Sequence, residues 1–103
     1  MSRRIGQYCI LRTKKAGIHC GVVLDVTIEK GVVIVDLKNA TRLWRWNKPD
    51  DGNTLSLYGV AIHGCSKESR IDGIVEESTV IEVIEIIPCT EKARKTLETP
   101  RNN

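Results

Sequence analysis

Apolar and polar positions along this chain alternate in short runs, and Gly, Asn, Asp and Pro punctuate them, which is the pattern of β-strands joined by turns. Residues 7–13 hold the apolar run Tyr8-Cys9-Ile10-Leu11 without Gly or Pro and predict a buried first strand. After Lys14-Lys15-Ala16-Gly17, a turn with two cations, residues 18–28 set Val22, Leu24, Val26 and Ile28 in loose alternation and predict a second. Glu29-Lys30-Gly31 separates that strand from Val32-Val33-Ile34-Val35-Asp36-Leu37, so the two should pair as an antiparallel hairpin. Lys38-Asn39-Ala40 reads as another turn before a separate strand over residues 41–46. Period two there places Leu43 and Arg45 on one face and Arg42, Trp44 and Trp46 on the other.

The second half is less regular. Residues 47–53, rich in Asn, Asp, Pro and Gly, predict a loop. Thr54 is placed to cap a short helix through Leu55, Tyr58 and Ile62 that ends at Gly64, while Gly59 and the β-branched neighbours argue equally for an irregular strand. Residues 71–75 form a short strand candidate, Glu77-Ser78 a turn, and residues 79–87 the strongest strand, which Pro88 ends. Thr90 is the expected N-cap of a helix over residues 91–97, with Glu91 in its first turn and Arg94 and Lys95 in its last. Residues 98–103 read as a disordered tail. The sum is one domain over residues 1–103 of mainly β (α+β) class: an antiparallel sheet or small barrel of about five or six strands with a short C-terminal helix.

Composition narrows the function. A chain of 103 residues supports one core and no deep second layer, which leaves little room for a large multi-part active site. There is no Phe, so Val, Ile and Leu must fill the interior, and Tyr8, Trp44, Trp46 and Tyr58 stand out. The net charge of +3 is spread along the chain, too thin for a protein that neutralises many phosphates of a duplex. Cys9, Cys20, Cys65 and Cys89 form no C-x-x-C pair, and Met-Ser-Arg-Arg lacks the apolar stretch of a secretion signal; both features predict an intracellular protein with reduced thiols. His63 and Cys65 can share a strand face, yet a zinc site needs more close ligands than this, and no metal or cofactor is expected. There is no phosphate-binding loop, no nucleophile elbow and no H-E-x-x-H, and Glu76, Glu77, Glu82 and Glu85 read as solvent-facing strand residues; the sequence points to a binding protein, not an enzyme.

Two candidate binding sites follow. Arg42, Trp44 and Trp46 in a row can pair with phosphate through the guanidinium and stack planar rings on the indoles; equally, the two indoles can be the largest fillers of a core without Phe, with Arg42 at its rim. The second candidate is the turn holding Lys14 and Lys15, with His19 beyond it, where backbone amides and ammonium groups can meet an anion; an ordinary hairpin turn with solubilising lysines is the alternative.

Arg12-Thr13 followed by Ala16-Gly17-Ile18-His19-x-Gly21, then Ala40-x-Arg42-Leu43-Trp44-x-Trp46, then Leu55-Ser56-Leu57 through Val60, and finally the run from Glu82 to Glu91 resemble a family of small proteins of uncharacterised function encoded by tailed phages and prophages. The likeness covers nearly the whole chain. It departs from the family pattern at Lys14-Lys15, where a Tyr-Ser-like pair is expected, and at residues 47–52, which replace a shorter link containing Gly and Ala.

The resemblance implies a viral accessory protein in the host cytoplasm that acts by occupying a host molecule. In its most concrete form it is a homo-oligomer that sequesters a small anionic, nucleotide-like immune signal, such as a cyclic oligonucleotide or an ADP-ribose derivative, with Arg42, Trp44, Trp46, Lys14, Lys15 and His19 as ligand contacts. The alternatives are an inhibitor that docks on a host protein and, less favoured, a single-stranded nucleic-acid binder. No membrane association is expected.

Overall fold

The computed structural model describes residues 3–46, 56–66 and 69–102. Its elements in chain order are β1 (Tyr8–Thr13), β2 (Ile18–Glu29), β3 (Val32–Arg45), α1 (Leu57–His63), β4 (Arg70–Ile71), β5 (Val75–Val80), β6 (Val83–Pro88), α2 (Glu91–Leu97) and β7 (Arg101–Asn102). Every pairing is antiparallel; the sheet runs β6-β1-β2-β3-β4-β7, with β5 against the first half of β3. The fold is thus mainly β, an open antiparallel sheet with two short helices, one of them near the C-terminus.

The turn expected at Lys38-Asn39-Ala40 is instead the middle of β3. Asn39 adopts φ +52°, a conformation that Asn tolerates better than most residues, and one extra β3 residue is accommodated where Cys20 and Val22 face Thr41 and Lys38. The turn chemistry produces a bulge that bends the strand without reversing it. Gly21 lies opposite, where a β-carbon would sit 3.1 Å from the Lys38 carbonyl oxygen, so the bend closes on bare backbone. Beyond the bulge β3 changes partner, from β5 at Val35–Ala40 to β4 at Leu43–Arg45.

A second difference lies in the strand expected over residues 79–87. Glu77 and Ser78 belong to β5, and the chain breaks between β5 and β6 at Ile81 and Glu82, where Glu82 takes φ +57°. One straight strand cannot pair with both β3 and β1, so the chain turns a corner between them; the Lys14 amide donates to the Glu82 carbonyl and ties that corner to the β1–β2 turn.

The sheet buries side chains on each of its faces. One face packs Ile10, Cys20, Leu43 and Ile87 against Leu57, Val60 and Ala61 of α1 and Leu97 of α2. The other gathers Leu11, Val23, Val35, Leu37, Val80 and Val83 from five strands, which requires the sheet to curl over its own side chains. The open choice for the segment before Gly64 resolves as a helix: Ser56 caps α1 by accepting from the Gly59 amide, and Gly64 at φ +89° ends it. The loop expected over residues 47–53 and the proposed cap Thr54 lie outside the described residues. Thr90 caps α2 by accepting from Ala93 N at 3.1 Å and also donates to the Ile62 carbonyl at 2.7 Å, joining the two helices. Beyond α2, where a disordered tail is expected, Arg101–Asn102 pairs with β4 as β7.

Candidate functional site

The β2–β3 ladder sets His19 directly across from Arg42, on the face opposite that of the neighbouring pair Ile18 and Leu43. The Arg42 guanidinium carbon lies 3.6 Å from the centroid of the Trp44 ring, two residues along the same strand, in a close cation–π contact. Behind it stands Gly17, at φ +84° in the β1–β2 turn, where a β-carbon would fall 2.8 Å from Nη2 and 3.2 Å from the guanidinium carbon. The side chain is therefore held between an indole and a bare backbone.

Asp72, between β4 and β5, fixes the indole. Its amide donates to the Arg42 carbonyl at 3.1 Å, its carbonyl accepts from Thr41 Oγ1 at 2.6 Å, and its carboxylate accepts from Trp44 Nε1 at 2.6 Å. Arg70 adds a second guanidinium 5.5 Å from the Trp44 centroid. The nearby carboxylate is thus bonded to the indole and is not paired with Arg42. Among the described residues, the buried Nε of Arg42 has no hydrogen-bond partner. Leaving a buried donor unpaired costs about 1–3 kcal/mol, and such an atom calls for a reason. A cavity of about 170 Å³ opens here, lined by His19, Ala40, Thr41, Arg42, Gly73, Val75 and Ser78. His19 Nε2 donates to the Ala16 carbonyl at 2.8 Å, which leaves Nδ1 as the ring nitrogen able to accept.

The structure divides the Arg42, Trp44, Trp46 row. Between Leu43 and Arg45 the pairing with β4 slips by one residue, and that slip reverses which face the following side chain takes. Trp44 faces outward, 46% exposed, while Trp46 packs with Leu43 and Leu57 against the helix-covered core. The two indoles form no continuous stacking surface.

Lys14 and Lys15 are exposed and do not line the Arg42 cavity. In their turn, the Thr13 amide and hydroxyl both donate to Gly17 O, the Ala16 amide donates to Thr13 Oγ1, and the Lys14 amide goes to Glu82. The Thr13, Lys14 and Ala16 amides are therefore already paired. Of the six residues proposed from the sequence, the fold brings Arg42, Trp44 and His19 together.

Asp72, Arg70 and Gly17 carry the rest of the site and were not legible as such. Asp72 sits in a stretch without periodicity and acts on residues about thirty positions earlier; the only sequence signal for Gly17 was its place in a turn.

Burial pushes the thiols of Cys9 to about 11 and Cys89 to about 12, and that of Cys20 well above its ordinary value, so they are neutral at physiological pH. All four cysteines are free thiols, and among the described residues no group of His, Cys, Asp or Glu is placed to hold a metal ion. No described helix is long and apolar enough to cross a membrane.

Comparison with curated proteins and with solved structures returns no match. One family model does match, over residues 6–97, most of the chain; the protein belongs to the family described as "Domain of unknown function (DUF6948)".

Proposed function

We propose that this protein is a non-enzymatic binding protein that holds a phosphate-bearing, nucleotide-like ligand through Arg42. One observation carries the reading: a guanidinium held between Trp44 and Gly17, its Nε buried and unpartnered among the described residues, on a side chain that lines a cavity. Arginine's planar fork matches phosphate oxygens, and a donor already held in position loses little freedom on binding. Ser78 also lines this cavity, whereas the Thr41 hydroxyl already donates to Asp72 and the His19 Nε2 to Ala16.

The cavity, at about 170 Å³, is below the 300–1,000 Å³ usual for whole small-molecule ligands and is of a size for one phosphate group. The rest of the ligand lies over the exposed surface near Trp44 and Arg70, or against a second copy of the chain in a homo-oligomer. With the resemblance to tailed-phage proteins, this supports sequestration of a nucleotide-type signal inside the host cell. A single-strand nucleic-acid binder is less well supported, because Arg42 covers one face of Trp44 and Trp46 points away.

Calorimetry tests the proposal with inorganic phosphate, cyclic di- and trinucleotides and cyclic ADP-ribose isomers, on the natural protein and on Arg42→Ala and Arg42→Lys. Binding of at least one phosphate-bearing ligand, abolished in Arg42→Ala and weakened in Arg42→Lys, is expected. Silent titrations throughout, or binding that survives Arg42→Ala, reject the reading.

A further inference from the structure

A second cavity, of about 420 Å³, opens on the other face of the sheet, between β2, β6 and α1. Ile18, Leu57 and Ile87 give it an apolar floor and Trp46 an indole surface. Its rim is polar. Arg12 and Glu85 face each other across the β1–β6 ladder with Nη1 3.4 Å from Oε1, and the Tyr58 hydroxyl donates to the other carboxylate oxygen of Glu85. The volume lies within the range of sites that bury a whole small ligand. None of these residues lines the Arg42 cavity, and Ile18 and His19, adjacent on β2, point to opposite faces.

The rim decides the ligand class. Arg12 and Glu85 neutralise one another, so the mouth carries no net charge to attract an anion. Each Glu85 oxygen holds one bond and keeps further acceptor capacity, whereas an apolar floor with an indole favours a flat ring. We infer that this cavity binds a planar, uncharged heteroaromatic molecule of nucleoside size, its ring against Trp46 and an N–H donated to Glu85.

The site is separate from the Arg42 site and is tested apart from it. The chain has two tryptophans, so Trp44→Phe leaves Trp46 as the single indole reporter. Adenosine, which lacks phosphate, should change Trp46 emission saturably in that background. Glu85→Gln added to it should bind roughly tenfold more weakly, the loss expected when a charged acceptor becomes neutral. Arg42→Ala added instead should leave adenosine binding unchanged, while phosphate binding to the otherwise natural protein is lost in Arg42→Ala and kept in Glu85→Gln. Thermal unfolding of each variant confirms that it is folded. An emission that does not respond to millimolar adenosine, an unaltered affinity in Glu85→Gln, or loss of adenosine binding in Arg42→Ala overturns the inference.

Discussion

Gly17 and Arg42 come from turn and strand segments far apart in sequence, yet a single β-carbon on Gly17 would reach within 2.8 Å of the Arg42 Nη2. The turn glycine thereby sets where the guanidinium can lie. Gly17→Ala is expected to cost about 1 kcal/mol through its left-handed φ of +84°, and in addition to push Arg42 off the Trp44 ring. Chemical denaturation measures the first effect. Phosphate calorimetry measures the second, which should exceed what a small loss of stability alone causes in a protein that remains folded.

Asp72 orients the Trp44 indole on which Arg42 rests. Asp72→Ala frees Trp44 Nε1 and should cost about 1 kcal/mol, with weaker phosphate binding although the variant gains net positive charge. Phosphate affinity in Asp72→Ala and Arg42→Ala checks this; tighter binding in Asp72→Ala would show that bulk charge outweighs orientation.

Tyr8 is buried in the helix-covered core, and among the described residues its hydroxyl has no hydrogen-bond partner. Burial raises its pKa, so the group is a neutral, unpaired phenol. Tyr8→Phe should therefore leave stability unchanged or raise it by about 1 kcal/mol, against the usual direction for a core substitution. A fall in the denaturation midpoint would show that the hydroxyl is satisfied.

Asn39 holds φ +52° at the bend of β3. Asn39→Gly should be nearly neutral, because Gly adopts that conformation freely, whereas Asn39→Val should cost about 1–3 kcal/mol as a β-branched residue at positive φ. The two unfolding midpoints separate a conformational requirement from a side-chain contact.

The buried thiols make stability fall at alkaline pH. In the unfolded chain they ionise near 9, while in the native protein Cys9 does so at about 11 and Cys89 at about 12. Between those limits the unfolded state has lost protons that the native state keeps, so the favourable contribution is complete below pH 9 and disappears as the pH rises through 11–12. Urea unfolding from pH 8 to 11 should show a falling midpoint, and Cys9→Ala should flatten the fall.

Much of the fold was legible because the signals are local. The alternation of residues 18–37 specifies a hairpin, and the hydroxyl of Thr90 needs only the amide of Ala93 to cap α2. The partner of each strand was not legible in the same way. Asn39 carries turn chemistry whether the chain reverses or merely bulges, and only pairing with β2 on both sides of it decides that it bulges.

For the site, the sequence alone determined that Arg42 and Trp44 share a face, since two residues on a strand project to one side. It could not place Trp46, because a one-residue slip against β4 reverses the parity that the alternation assumes. Nor could it show that Asp72 holds Trp44 or that Gly17 backs Arg42. Those contacts join segments that meet only when the sheet has formed, and they decide whether the guanidinium is left with a donor to offer.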